Sequence, residues 1–413
     1  MKKSLIALAA FAATSAFAQS SVTLYGIVEA TADIGYSKVT NTVVTNAAGV
    51  VTANTRAETK NNFRIQDGSD QGTGTSRIGF RGTEDLGGGM KANFLMEMGI
   101  RIDDGCVTLG STAACANGGG SAESGGAVFG RNAWGGISGG FGEVRLGRQV
   151  LGSFGVQANS WSAGSSLGLY DAGAGTAPAM GGVRFSNAIR YLSPTMGGFK
   201  ASVMLAAPET GGPTSTANTL TGVTSTANRR TGVDLALEYA NGPAYVGFGY
   251  NLRDAAGNNT NTGAGTSVNV GKITGYTLGG SYDLGVVKPF LNITRENTKA
   301  GGVAAGVVTD ADTTARAWSV GLRAPIGAIT VIAGVGRVVT SNVTTATLLP
   351  NATSEAKRNA YQIGAQYALS KRTLLEANYG QNKLNSTAVS NALVTTRIND
   401  KVSALNVGLK HSF

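Results

Sequence analysis

One histidine stands in the whole chain, His411, two residues before the C-terminal Phe413. A nucleophile relay or a histidine-based metal centre needs an imidazole beside its other members, so this inventory removes most triads and most His-metal sites. Gly136-Ile137-Ser138-Gly139-Gly140 has the spacing of a nucleophile elbow, but the residues around it read as a hairpin turn with no helix after it. Gly265 to Lys272 is a poor phosphate loop: the glycine spacing is wrong, and Ile273 stands where Ser or Thr would be needed. Cys106 and Cys115 lie close together in a Gly/Ser/Ala-rich stretch. In an oxidising compartment that suits a local loop disulfide, and two cysteines without a nearby histidine do not make a zinc site. The expectation is no enzyme, no metal site and no cofactor.

What the chain holds in quantity is cationic charge. Lys and Arg number 34 against 24 Asp and Glu, a formal net charge of +10. The cations are scattered, without a basic helix or a dense basic run, so nucleic acid is not an expected partner. Scattered cations act through their field, inside a lumen or against anionic lipid. In a pore, rings of Arg and Lys favour anions.

Such residues need elements to carry them and an address to reach. Lys2 and Lys3, the apolar run Leu5 to Thr14, and Ala16-Phe17-Ala18 form a leader with a cleavage site after Ala18. Residues 1–18 therefore read as a signal peptide for Sec export, and residues 19–413 as one domain. Length alone would suggest more domains, but the 61 Gly and 8 Pro are spread without a composition shift or a hinge. Mean hydropathy is +0.02. No mature stretch is long and apolar enough for a transmembrane helix, whereas a membrane barrel hides in such an average because its two faces cancel.

Strict alternation recurs along the chain. Phe199, Ala201, Val203 and Leu205 share one face, as do Val233, Leu235, Leu237 and Tyr239. Tyr361 to Leu369 and Leu405 to Phe413 repeat the pattern. Period two means strands with two unlike faces. Short turns such as Met196-Gly197-Gly198, Asn241-Gly242 and Asp283-Leu284-Gly285 take turns with long Gly/Thr/Asn/Ser-rich loops. The long loops span Lys38 to Gly74, Gly105 to Val128, Gly152 to Val183, Glu209 to Arg229, Gly257 to Val270 and Asn385 to Asp400. Short turns on one rim, long loops on the other and roughly sixteen strands predict an all-β transmembrane antiparallel barrel. Tyr25, Tyr36, Tyr239, Tyr282 and Tyr379 suit its aromatic girdles. A soluble sandwich or propeller shares the alternation but not the turn asymmetry.

Five segments carry a family resemblance. Ser21-Val22-Thr23-Leu24-Tyr25-Gly26-Ile27-Val28 resembles the first strand of Gram-negative general porins of the betaproteobacterial type. Thr75-Ser76-Arg77-Ile78-Gly79-Phe80-Arg81-Gly82 and the turn after it resemble an early strand of that family, and Phe141 to Arg148 its fifth. Ala368 to Thr373 looks like a late periplasmic turn, and Val407 to Phe413 like the closing strand. The resemblance implies a sixteen-stranded homotrimeric pore in the outer membrane, with the third loop folded into the lumen. It also implies small anions and hydrophilic solutes as cargo, contact with outer-membrane lipid and lipopolysaccharide, and Phe413 as the signal read by the barrel-assembly machinery.

Within that resemblance Gly152 to Val183 matches the constriction loop, and its single acid is Asp171. The anion-selective branch lines the narrow zone with arginines. The matching positions are Arg77 in Thr-Ser-Arg, Arg131 after Phe129-Gly130, and Arg184 in Gly-Val-Arg. Arg131 is the looser match, because Asn132 stands where a second basic residue is common. Arg77 and Arg81 fall on the lumen parity, opposite Ile78 and Phe80. Arg81, Arg145, Arg190 and Glu97 are expected as supporting lumen charges. Each arginine has a plainer alternative, pairing with Glu97, Glu29 or Asp33 to keep the wall ordered, and for Arg81 and Arg145 that is the expected role. A substrate-specific channel using Trp161 and Tyr170 as a slide, and a structural or adhesive barrel, stay open beside the general diffusion pore.

Overall fold

The computed structural model describes residues 21–67, 76–103, 105, 128–160, 183–207, 214–218, 222–226, 231–254, 267–304, 307–346, 349–390 and 394–413. Residues 1–18, expected as a leader, Cys106 and Cys115, and Trp161, Tyr170 and Asp171 lie outside them. Strand β1 (Ser21–Thr45) is followed by β2 (Val51–Asp67), β3 (Arg77–Gly87), β4 (Met90–Gly99), β5 (Asn132–Gly139) and β6 (Gly142–Val150). A short helix, α1 (Gly152–Asn159), precedes β7 (Arg184–Leu192) and β8 (Phe199–Ala206). Strands β9 (Thr214–Asn218) and β10 (Gly222–Thr226) pair only with each other. A meander completes the chain: β11 (Gly232–Asn241), β12 (Ala244–Asp254), β13 (Ser267–Tyr282), β14 (Lys288–Ala304) and β15 (Val307–Ile326). It continues through β16 (Ile329–Ala346), β17 (Leu349–Ala368), β18 (Thr373–Val389) and β19 (Thr395–Ser412).

The main sheet holds 17 strands. Two of them share one place in the wall. β3 pairs with Ser21–Ile27 of β1, and β2 pairs with Ala30–Thr45 of the same strand, so β2 and β3 lie end to end. The wall therefore has sixteen positions, with β3 on the second, β4 on the third and β19 on the last. β19 runs antiparallel to β1 from Ile27↔Ser412 to Thr45↔Thr395 and closes the barrel. Phe413 finishes the seam: its N–H donates to the Gly26 carbonyl and the Gly26 N–H donates back, both at 3.1 Å. Closure matters because an unpaired backbone group in hydrocarbon costs several kcal/mol, roughly the price of transfer from water without a partner.

The two faces decide between a membrane barrel and a soluble one. Leu24, Leu237, Phe248, Leu291, Val320 and Ile363 are exposed on the outside. Inside, Glu29, Asp33, Asp234, Asn251, Asn378 and Asn406 are buried. A soluble sandwich would reverse that arrangement, with apolar residues inside and polar ones out.

Several segments expected to be long loops are instead paired strand. Lys38 to Asp67 forms most of the β1–β2 hairpin, turning near Gly49, whose φ of 81° suits glycine. Asn385–Val389 and Thr395–Asp400 extend the β18–β19 ladder. Runs such as Val39-Thr40-Asn41-Thr42-Val43 carry β-branched residues on both faces, which is strand chemistry in water. Helix α1 was not expected at all.

Candidate functional site: the pore lumen

Helix α1 docks on the inward face. The helix lies against β11, β12 and β13 on the eighth to tenth wall positions. Its N-terminal N–H groups have no cap from their own segment, since the residue before the helix is Leu151. The wall supplies the cap. Asp234 of β11, fully buried, accepts from the Gly152 N–H at 2.7 Å and the Ser153 N–H at 3.3 Å, and takes the Ser153 hydroxyl as well. A carboxylate at that end also answers the helix dipole. At the other end Asn292 donates to Ser160 Oγ at 2.7 Å, and Asn159 donates to Glu238 at 3.2 Å. Room for the helix comes from a missing side chain: a Cβ on Gly249 of β12 would stand 2.6 Å from the Ser153 Cα.

Across the lumen, on the second to fourth positions, the charges gather around one carboxylate. Glu97 of β4 accepts from Arg131 Nε at 2.8 Å and from the Tyr25 hydroxyl at 2.8 Å. Asn132 donates to it at 3.3 Å, and Arg77 Nε lies 3.9 Å away. Register explains the meeting, because Tyr25, Gly79 and Glu97 are successive cross-strand partners and Glu97 pairs with Asn132. Paired residues share a face, so all point inward.

Of the other expected residues, Arg184 opens β7 opposite Val150, on the sixth position, four away from Arg77. The structure thus brings Arg77, Arg131 and Glu97 together, and Arg184 stands elsewhere on the wall. Arg145 and Arg190 face each other across β6 and β7. Arg145 is bound to Glu143 at 2.6 Å and lies over the Trp134 ring at 4.1 Å. Arg190 donates to the Val150 carbonyl at 3.0 Å and Ser202 Oγ at 3.1 Å. Arg81 sits over the Tyr25 ring at 5.4 Å. Glu29 and Asp33 are engaged by Lys410 at 3.3 Å and Arg64 at 2.5 Å. His411 keeps the outward parity and meets Thr373 Oγ1 at 2.9 Å.

Among the lumen cations that the sequence reading did not single out, two stand together. Lys288 of β14 and Arg323 of β15 are direct cross-strand partners on the inward face. They line a cavity of about 480 Å³ beside the end of α1, with Asn159, Phe290 and Thr330. Asp283 also borders it, with its carboxylate accepting the Gly285 N–H at 2.8 Å. Arg323 donates to Gln366 at 2.6 Å, and among the described residues neither cation forms an ion pair. The available signal was parity, since Arg323 alternates with the outward Leu322 and Ala324. Nothing in the sequence says which lysine lies across from it.

Comparison with known proteins agrees with this architecture. The model of the Gram-negative porin family matches residues 4–387. Outer membrane porin protein 32 of Delftia acidovorans is 32% identical over 428 residues, covering 100% of both chains. An outer membrane porin of Bordetella pertussis is 30% identical over 435 residues, again covering 100% of each. Among solved structures, an anion-selective porin from Comamonas acidovorans superposes with a TM-score of 0.52 at 25% identity, covering 96% of this chain and 100% of its own. Salmonella typhi OmpF shares the fold, with a TM-score of 0.50 at 12% identity over 95% of this chain and 97% of its own. A closed barrel with a polar lumen and an apolar outside, matched end to end by such relatives, belongs to the Gram-negative porin family: it is an outer-membrane porin, a channel for ions and small hydrophilic solutes and not an enzyme.

Proposed function

We propose that the channel prefers anions, and that the near-wall cluster of Arg77 and Arg131 around Glu97 carries much of that preference. The carrying observation is a contact: the Arg77 and Arg131 guanidinium groups both lie against Glu97 on the inward face. Guanidinium groups held in fixed places on the lumen face give a passing anion a favourable point of contact, which is one part of what conduction requires. The sequence-level assignment of Arg184 stays part of the proposal as a separate cation further round the wall. The full-length likeness to a porin described as anion-selective supports the sign. The same reading takes the working unit as a homotrimer, residues 1–18 as a removed leader, and Phe413 as a mark read by the assembly machinery.

The test is the zero-current potential of the purified protein in a planar bilayer under a salt gradient. Anion sign in the wild type, falling in Arg77→Ala and in Arg184→Ala, supports the proposal. A cation-selective pore, or a sign that no variant moves, removes the arginine argument and leaves the porin intact.

A further inference from the structure

The cavity beside the end of α1 carries both signs of charge. Lys288 and Arg323 border it, and so does Asp283, at the start of the short turn from β13 to β14. Pro325, just before the short turn from β15 to β16, borders it as well. The cavity therefore lies at the short-turn rim, which is the periplasmic end of such a barrel. Its volume of about 480 Å³ falls in the range of small-molecule sites.

The three charges share this space without meeting. Among the described residues Asp283 forms no ion pair: one carboxylate oxygen accepts the Gly285 N–H at 2.8 Å, and the other accepts no hydrogen bond. Lys288 holds its Nζ 5.4 Å from the centre of the Phe290 ring, and no described carboxylate meets it. Arg323 gives one N–H to Gln366 at 2.6 Å, and Gln366 donates in turn to Glu376 at 3.2 Å. A guanidinium has five N–H donors, so Arg323 keeps others to offer. Asn159 directs its amide N–H groups to Glu238 and Tyr245, which leaves its carbonyl oxygen as an acceptor. Ala158 and Pro325 form an apolar part of the lining. Lys288 and Arg323, directly opposite across the strands, repel each other. A plain anion would relieve that repulsion but share the cavity with Asp283. A plain cation would meet two like charges. A molecule carrying both signs answers all three groups.

We propose that this cavity binds a zwitterionic α-amino acid at the periplasmic end of the pore. The carboxylate lies between Lys288 and Arg323 and relieves their repulsion. The ammonium lies against Asp283 and the Asn159 carbonyl oxygen, and a small side chain rests on Ala158 and Pro325. The site borders water, so binding is weak and exchange is fast, and the solute can leave again. The inference rests on the porin fold and not on Arg77 and Arg131, so a cation-selective wild type would leave it standing.

The full-length protein is held in a planar bilayer at fixed salt, and its single-channel current is followed while L-alanine, propionate or ethylammonium is added. Propionate lacks the ammonium, and ethylammonium lacks the carboxylate. L-alanine should lower the current saturably, with half-effect at a concentration about fivefold below that of either single-charge probe, the upper end for one solvent-bordered ion contact. Asp283→Asn keeps an acceptor for the Gly285 N–H and with it the turn. It should bring L-alanine to the level of propionate, while propionate acts at least as well as on wild type. Lys288→Gln/Arg323→Gln should lose the effect of both. A merely structural role for Asp283 would weaken both solutes together. The proposal is overturned if L-alanine leaves the wild-type current unchanged or does not saturate, or if propionate or ethylammonium matches it. It is equally overturned if Asp283→Asn keeps the preference for L-alanine or weakens both solutes alike, or if the double variant responds to L-alanine as wild type does.

Discussion

Two patches of the lumen hold paired cations in opposite ways. On the near wall, Arg77 and Arg131 flank Glu97, and a tyrosine and an asparagine complete the carboxylate's shell. On the far wall, Lys288 and Arg323 face each other beside the Gln366 amide and the Phe290 ring, with the Glu376 carboxylate acting on Arg323 from further off. The near patch fixes its charge in position against a carboxylate. The far patch has no direct ion pair among the described residues and leaves its cations on flexible stems beside open space. On the proposed anion preference, the fixed cations would position an anion and the more mobile pair would raise the local anion concentration.

The largest expected effect comes from breaking the near lock. Arg131→Ala leaves Glu97 buried with Arg77 3.9 Å away as its remaining cation. Loss of one partner from a buried pair costs about 3–5 kcal/mol. Thermal unfolding of the folded barrel should show it, and Glu97→Gln in the same chain should restore most of the loss. Arg131 is therefore a poor residue for testing selectivity alone, and Arg77→Ala, with its longer contact, is the better one. A single variant as stable as wild type would mean that the near patch is no lock.

Next comes the helix docked on the inward face of β11 to β13. Asp234→Ala strips α1 of its cap and leaves buried N–H groups unpaired, at about 1–3 kcal/mol. Gly249→Val acts from the other side by filling the space that Ser153 occupies. Both should widen the pore, seen as larger single-channel conductance. Unchanged conductance with lower stability would mean that α1 packs on the wall without narrowing the path.

How far the sequence foretold these patches follows from the range of the interactions. Strand periodicity is local, so the barrel and its inward parity were legible, and Glu97 was expected as a lumen charge that an arginine could pair with. The α1 docking was hidden. Gly152-Ser153-Phe154-Gly155 is a weak helix start, and what holds it is Asp234, 82 residues away. The Lys288–Arg323 pair was hidden for the same reason: alternation tells which face a residue takes but not its register with the next strand. The extended β1–β2 hairpin was misread because its Gly, Thr and Asn content is that of loops as well as of wet strands.

A smaller effect is expected on the far wall. Lys288→Gln/Arg323→Gln should lower the anion preference without loss of stability, because the pair it removes is repulsive. A preference that stays at the wild-type value would put this cavity outside the ion path.

Salt separates the two patches most finely. The Debye length falls from about 10 Å at 0.1 M to about 3 Å at 1 M. Lys288 and Arg323 border water, so the selectivity difference between wild type and Lys288→Gln/Arg323→Gln should shrink over that range. Glu97 and Arg131 are buried and in direct contact, so little electrolyte enters between them. The stability deficit of Arg131→Ala should therefore persist at 1 M salt, measured by unfolding temperature against the Arg131→Ala/Glu97→Gln chain. If both differences fade together, the near patch is as wet as the far one, and the contrast between fixed and available charge does not hold.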